Sequence, residues 1–366
     1  MSYKRKVLIF IPSLVGGGAE KNALLMAEAL VDLNFNVILA YMYENKSGTE
    51  PSTAISYEYI GKKPTPFQDI FNFRRTIKKV NPDYVVSFLD VINIYTFFAK
   101  FGLKHIKHIA NERSNPFYHL KTKRFGKIKL WLLRLVYRKV DRLFVNSMAT
   151  TRQIIEEMGV SEISAKVLYN PISLNIKSAC SERKKGSILA VGRLDNEKDY
   201  PTLLRAISEL VHTHNQNDFV LNIAGKGPLL HFLEDLVSAL GISEYVNFLG
   251  FRSDVSSLML SHEIYVLSSQ HEGFPNTLLE AMSCGMAVVS TDCVSGPGEV
   301  IQDSSNGYLV SVGDYKAMAE RILILLNSEQ RLSKIATSAT ASLGDFSFSN
   351  YKKSLKESFD TFSAIK

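Results

Sequence analysis

Cysteine is scarce in this 366-residue chain, with three in all. Cys180, Cys284 and Cys293 show no CxxC spacing, which excludes both a disulfide-stapled scaffold and a thiolate zinc site. Histidine does not fill that gap: His105 and His108 stand three residues apart with no third ligand nearby, and no metal is expected. No run of about 18 apolar residues is present, the length a membrane-crossing helix needs. The opening "MSYKRKVLIFIPSLVGGG" meets a glycine turn too early for a signal peptide. A cytoplasmic protein is expected.

What the chain has in quantity is apolar mass, 46% of its residues. At this length that is enough for two cores, and two domains are expected. Its net charge of +7 hides a partition: the first 180 residues carry 27 Lys+Arg against 14 Asp+Glu, and the remainder 16 against 22. The basic half suits an anionic partner, which can be nucleic acid, a membrane surface or a phosphate-bearing substrate.

"KVLIFIPSL" reads as a buried strand, "AEKNALLMAEALVDL" as a helix with apolar residues at helical spacing, and "NVILAYMY" as a second strand. Further strands are expected at "YVVSFL", "KHIAN" and "RLFVNS". After "SACSERKKG" (178–186), which has linker composition, a second series begins with "SILAVG", "FVLNIAG", "YVNFLG", "IYVLSS" and "AVVST". The expected fold is α/β, two doubly wound Rossmann-like domains at 1–178 and 187–346, with ligands bound where strand carboxyl ends face a cleft. A last amphipathic segment, 347–366, has no strand after it and is expected to cross back to the first domain.

Three motifs carry chemistry. "GGGAE" (Gly16 to Glu20) lies between a strand and a helix, where residues without Cβ admit a phosphate or sugar to unpaired N–H groups; it equally suits a plain connection. A dinucleotide fingerprint needs Gly or Ala where Lys21 stands, so the spacing fails for NAD. Arg193 and Lys198 in "AVGRLDNEKDYPTL" follow a strand and form a pair suited to holding a diphosphate, or else two solvated cations. In "HEGFPNTLLEAM", Asn276 can cap a short helix ending at Gly285, and Glu280 one turn into it points back toward the loop bearing Glu272. Both carboxylates can then face one ligand; singly, one is a dipole-complementing acid and the other an exposed loop acid. "NERSNP" (Asn111 to Pro116) and "GPGE" (Gly296 to Glu299) follow two further strands.

Taken together, E-x7-E (Glu272 to Glu280), "GRLDNEKD", "AGKGPL" and "GGGAE" match in order and spacing the retaining glycosyltransferases of family 4, which have the GT-B fold. Over nearly its whole length the chain resembles the bacterial members that build lipid-linked glycans. The resemblance implies a nucleotide-sugar donor, UDP-linked by analogy. Its diphosphate would be gripped by Arg193 and Lys198, its ribose by Glu280 and its sugar approached by Glu272, with Gly17 and Gly18 offering backbone N–H groups and Glu299 lying near the donor. Such enzymes need no metal or other cofactor, the two cations replacing it. Their front-face route to retention needs no protein nucleophile, unlike the paired carboxylates of a glycosidase. Glu112 and Arg113 correspond to a segment near the acceptor; some relatives carry histidine at 113, and Glu112 reads equally as an acid paired with its neighbouring arginine. Other members often carry arginine where Gly298 stands. An epimerase or hydrolase on the same fold, or a non-catalytic nucleotide-sugar-binding regulator, are the alternatives.

The stretch 119–142 holds nine Lys+Arg and one acid, Asp141. As one helix it would place Lys123, Lys127, Arg134 and Arg138 within about 60° and Phe125, Ile128, Leu132 and Leu135 in a sector of roughly 80°, with Trp131 between. That pattern suits an anionic membrane surface, each cation contributing roughly 1 kcal/mol; the alternative is a helix packed on its own sheet. With the resemblance it implies a polyprenyl-diphosphate-linked saccharide acceptor and a peripheral location on the inner face of the cytoplasmic membrane. Nucleic acid is not expected, for want of an aromatic platform pattern.

Overall fold

A computed structural model describes residues 4–14, 18–44, 53–120, 123–172 and 183–362. It divides into two compact units, Met1–Pro171 with Phe348–Lys366, and Ile172–Ser347. In the first unit the elements run β1 (Lys6–Ser13), α1 (Gly18–Asp32), β2 (Asn36–Tyr43), β3 (Ser56–Tyr59), α2 (Pro66–Val80), β4 (Tyr84–Phe88), α3 (Asp90–Lys100), β5 (Lys107–Glu112), α4 (Pro116–His119), α5 (Gly126–Tyr137), β6 (Arg142–Val145), α6 (Met148–Met158) and β7 (Ala165–Val167). The second unit runs β8 (Ser187–Val191), α7 (Tyr200–His212), β9 (Val220–Ala224), α8 (Leu230–Ala239), β10 (Val246–Gly250), α9 (Val255–Ser261), β11 (Ile264–Leu267), α10 (Asn276–Ser283), β12 (Ala287–Thr291), α11 (Pro297–Val300), β13 (Tyr308–Val310), α12 (Tyr315–Leu326) and α13 (Glu329–Ala341). The closing helix α14 (Phe348–Asp360) belongs to the first unit.

Both sheets are parallel, ordered β3-β2-β1-β4-β5-β6-β7 and β10-β9-β8-β11-β12-β13. In each the order reverses beside the first strand, between β1 and β4 and between β8 and β11, the switch points at which open α/β sheets bind ligands. The apolar run of β1 explains its central place: Val7, Ile9 and Ile11 face α1 and α14, while Leu8 and Phe10 face α2 and α3. Farther along the second face, Ala110, Leu143 and Val145 pack beneath α5 and α6. The helices α2, α3, α5 and α6 therefore cover one face, and α1 and α14 the other. Three strands were absent from the expectations above: β3, whose "SYEY" is a partly exposed edge, and the three-residue β7 and β13.

The stretch 119–142 is not one helix. It breaks after α4 and restarts at Gly126, where the Leu120 carbonyl lies so close that a Cβ would overlap it. Lys123 thus precedes α5 and Arg138 caps its end. The face of α5 that packs inward is Leu133, Val136 and Tyr137. Of the expected apolar sector, Phe125 and Ile128 are exposed, while Leu132 and Leu135 are half-buried.

Candidate functional site

The carboxyl ends of four adjacent strands, β9, β8, β11 and β12, build the site. After β8 the chain turns through Gly192 to Lys198; after β9 comes Gly225-Lys226-Gly227. These loops interlock through backbone: Gly192 N–H donates to the Ala224 carbonyl and Leu194 N–H to that of Lys226 (3.1 Å). A Cβ at Gly225 would overlap the Gly192 oxygen, and one at Gly227 the Leu194 oxygen, so glycine is required for contact rather than for an unusual φ.

Across the switch point, the loop after β11 is sewn to the loop after β8. Ser268 Oγ donates to the Lys198 carbonyl (2.7 Å), and Gln270 N–H to that of Glu197 (2.8 Å). Thr291 Oγ1, at the end of β12, donates to the Ser269 carbonyl (2.6 Å). Thus fixed, Lys198 Nζ donates to Glu272 Oε1 at 2.6 Å, and Ser269 Oγ donates to the same oxygen at 2.7 Å. The pair is largely sheltered, with 20% and 10% of the two side chains exposed. Serines 268 and 269 are site residues that the sequence reading missed; the only signal for them was their place directly ahead of Glu272.

Glu280 lies on α10, half-exposed, where Tyr265 links it electrostatically to Glu272. Burial raises the Tyr265 phenol, its bond to Thr277 opposes, and both carboxylates push the same way as burial. α10 begins at Asn276 itself, with Pro275 at the cap position, so the expected Asn276 cap does not form. Cys293 lies in the same field: burial takes its thiol up to about 12, with Glu272 adding and Lys198 opposing. Gly296, at φ +125°, lets the turn before α11 press on Pro275, and α11 carries a half-buried Glu299. A Cβ at Gly298 would meet Asp292 Oδ1 at 2.7 Å.

Arg193 differs from its partner. Its side chain is 74% exposed and ion-paired on its own loop, to Asp195 at 2.9 Å and Glu197 at 3.4 Å. It is therefore not brought onto the two acids 272 and 280 as Lys198 is onto Glu272.

In the first unit Gly18 opens α1, its carbonyl held by Asn22 Nδ2 at 2.6 Å, and Gly17 lies outside the described residues, as does Cys180. Glu112 is fully buried, and its charge favours that of the neighbouring Arg113 guanidinium. It accepts from Tyr137 Oη (2.6 Å), from the N–H of Arg113 and of Ser114, and from Ser114 Oγ (3.0 Å each). Tyr137, which the sequence reading did not single out, also receives a bond from Asn93, and burial raises its phenol with Glu112 adding. Arg113 is buried too: its guanidinium donates to the Leu168 carbonyl, Asn170 and Asn111, and stacks 5.4 Å over Phe88. These two residues bind the β5–α4 turn to α5 and to the chain beyond β7. Of the basic set, Lys123, Lys127, Arg134 and Arg138 are exposed with Trp131; Phe67 and Phe71 on α2, Phe98 on α3 and Phe101 just after it are exposed as well. The signal for the first two was phenylalanine four apart in "PFQDIF". Among the described residues, no group of three or more His, Cys, Asp or Glu is placed to hold a metal ion.

Two parallel Rossmann-like sheets, with a cation–carboxylate pair astride the second switch point, define the chain as a GT-B protein. Residues 16–176 match the family described as Glycosyltransferase Family 4, and 174–341 that described as Glycosyl transferases group 1. The chain is 30% identical over 360 residues (95% of it and 96% of the relative) to the Campylobacter jejuni GalNAc-alpha-(1->4)-GalNAc-alpha-(1->3)-diNAcBac-PP-undecaprenol alpha-1,4-N-acetyl-D-galactosaminyltransferase. A second C. jejuni enzyme, the N-acetylgalactosamine-N,N'-diacetylbacillosaminyl-diphospho-undecaprenol 4-alpha-N-acetylgalactosaminyltransferase, is 29% identical over 340 residues (89% and 91%). Among solved structures, Anabaena HepE in complex with UDP is similar at TM-score 0.81 and 18% identity (98% and 100% covered). The chain belongs to glycosyltransferase family 4 and is a glycosyltransferase.

Proposed function

We propose that this glycosyltransferase moves a sugar, with retention, from a UDP-sugar to a polyprenyl-diphosphate-linked saccharide at a membrane surface. The observation that carries the reading is the Lys198–Glu272 pair at the carboxyl edge of β8 and β11. An ammonium has three protons, and the bond to Glu272 uses one. The others can meet the diphosphate as its bond to the sugar breaks, where a fixed cation stabilises developing charge. Glu272 holds that ammonium in place and presents its second oxygen to sugar hydroxyls; Glu280 takes the ribose. Arg193, itself 74% exposed, joins by leaving Asp195 and Glu197, and a forked bond to a diphosphate offsets the loss of those pairs. No protein nucleophile and no metal enter this route. The acceptor hydroxyl attacks on the face the diphosphate leaves and gives its proton to a phosphate oxygen.

The acceptor class is supported by the C. jejuni relatives, named for undecaprenol-linked acceptors, and the base by structural neighbours bound to UDP and UDP-glucose. For the membrane, the support is the exposed aromatic and basic layer over α2, α3 and α5. No described helix is long and apolar enough to cross a bilayer, so contact would be peripheral. A thermal-shift and turnover screen across UDP-, GDP- and ADP-sugars, with and without a polyprenyl-diphosphate saccharide, tests the proposal. Stabilisation by UDP-sugars and a lipid-linked product are expected. A sugar ester trapped on Glu272 and seen by mass spectrometry would overturn the mechanism; turnover restricted to water-soluble acceptors would overturn the acceptor class.

A further inference from the structure

Between α5 and α6 lies a pocket of about 250 Å3. Four of its seven lining residues are apolar: Phe117 from α4, Leu130 and Trp131 from α5, and Met158 from the end of α6. Lys127 and Arg134, two turns apart on α5, flank it, with one acid, Glu157, on the facing helix. Arg134 Nε donates to the Met158 carbonyl at 3.2 Å, which fixes the guanidinium at the rim while leaving its terminal nitrogens to a second acceptor. Glu157 accepts from Gln153 Nε2 at 2.7 Å. Cations therefore outnumber the acid around a slot that joins apolar and charged surface.

We infer that this slot seats the first isoprene units and the diphosphate of the lipid-linked acceptor, an assignment that rests on the acceptor class proposed above. At about 30 Å3 per water-sized group, the volume takes one isoprene unit and part of the next. A flat bilayer does not account for it. Leu130 is half-buried and Met158, 1% exposed, forms the floor, so an inserted chain packs on Leu130 over that floor, whereas a membrane surface meets Phe125 and Ile128 on the outside of α5. The slot's composition matches one occupant, a branched hydrocarbon ending in two phosphates: an indole and a thioether for the hydrocarbon, and a guanidinium and an ammonium for the charge.

Trp131 is the sole tryptophan and is 59% exposed, so indole emission reports the slot directly. The purified chain is titrated with farnesyl diphosphate below its aggregation concentration, with farnesol, with inorganic pyrophosphate, and with phosphatidylglycerol vesicles. A saturable blue shift with farnesyl diphosphate is expected, at an affinity at least tenfold above that for farnesol or pyrophosphate. Arg134→Gln and Leu130→Gln should each weaken it about tenfold, and Ile128→Ser should leave it unchanged, all three variants keeping the wild-type circular dichroism and Tm within a few degrees. Emission that moves only with vesicles, or an Ile128→Ser loss equal to that of Leu130→Gln, overturns the slot in favour of bulk membrane contact. Turnover separates the two proposals. If a polyprenyl-diphosphate saccharide is glycosylated with a KM indifferent to Arg134→Gln and Leu130→Gln, the slot assignment fails and the acceptor class stands. If farnesyl diphosphate binds as described but no lipid-linked saccharide is glycosylated, the acceptor class fails, and with it the inference that the slot serves the acceptor.

Discussion

Replacing Lys198 with Ala separates a catalytic from a structural role because the two predict different magnitudes. The side chain donates at 2.6 Å to a carboxylate that is 10% exposed and whose other bond to the same oxygen comes from Ser269. Removing the ammonium leaves Glu272 short of one charge-assisted partner, a cost of about 1–3 kcal/mol. At about 2–4 °C per kcal/mol for a unit of this size, Tm should fall by roughly 2–12 °C. Turnover should fall much further. Loss of one preorganised group that stabilises developing charge costs about 10²–10³ in kcat, at a temperature where the variant remains folded. The assay is kcat at saturating donor, read beside Tm with and without UDP. In the wild type, UDP at a hundred times its Kd should add about 2.7 kcal/mol of stability, and in the variant most of that gain should vanish. If Lys198→Ala retained kcat within about threefold and kept its full UDP-dependent rise in Tm, the leaving-group role would be wrong and the pair would be a structural clasp.

Tyr137→Phe should lower Tm by an amount set by a buried bond to a carboxylate, about 1.5–3 kcal/mol, because Glu112 has no exposed surface through which water could replace the phenol; an unchanged melting curve would contradict this. Gly227→Ala should disrupt the loop after β9, since its Cβ would overlap the Leu194 carbonyl, and on the proposed function UDP binding measured by calorimetry should weaken more than at the solvent-facing Gly344, where a Cβ meets nothing. His108, held neutral by burial and Lys100 against the opposing Asp141, titrates near 3 instead of 6.5. Between those values the unfolded chain binds a proton that the folded chain refuses, so stability should fall as pH drops below about 6.5, by up to about 1.4 kcal/mol per unit. Urea melts of His108→Gln across that window should show a shallower slope; an equal slope would assign the acid sensitivity elsewhere.

The strands of both sheets were legible wherever burial on two faces makes a continuous apolar run, as in β1, β4 and β12. β3 was not, because an edge strand exposes half its side chains and "SYEY" carries no such run. Periodicity found the basic segment near 119–142 but not its break, since what forbids a continuous helix is the approach of the Leu120 carbonyl to Gly126, a three-dimensional event. The same limit applies to Glu112. A carboxylate next to an arginine reads as an ion pair, and neither its burial nor the bond from Tyr137, 25 positions away, is visible in that spacing. Lys198 and Glu272 stand 74 positions apart. Their meeting follows from strand order, for β8 and β11 are neighbours only because the sheet reverses there. For Arg193 the cation was evident in the sequence, but its company was not: the acids at 195 and 197 in the same loop hold it.

The division of charge between the units bears on how the molecule would sit on a bilayer. Unit 1, with α14, carries 30 Lys+Arg against 16 Asp+Glu, and unit 2 carries 13 against 20. An anionic surface therefore attracts the first and repels the second, within a Debye length of about 8 Å at physiological salt. A contact made through the loops after β8 and β9 would bring the net negative charge of unit 2 to a negative plane. Hydrogen exchange on phosphatidylglycerol vesicles should then protect segments of α2, α3 and α5 and leave α7 to α13 unchanged. Exchanging Lys123, Lys127, Arg134 and Arg138 for Ser removes about 4 kcal/mol at roughly 1 kcal/mol each, enough to abolish that protection, and raising the salt should do the same by degrees. Protection in α7 or α10 of the wild type as strong as that in α5 would count against contact directed by charge.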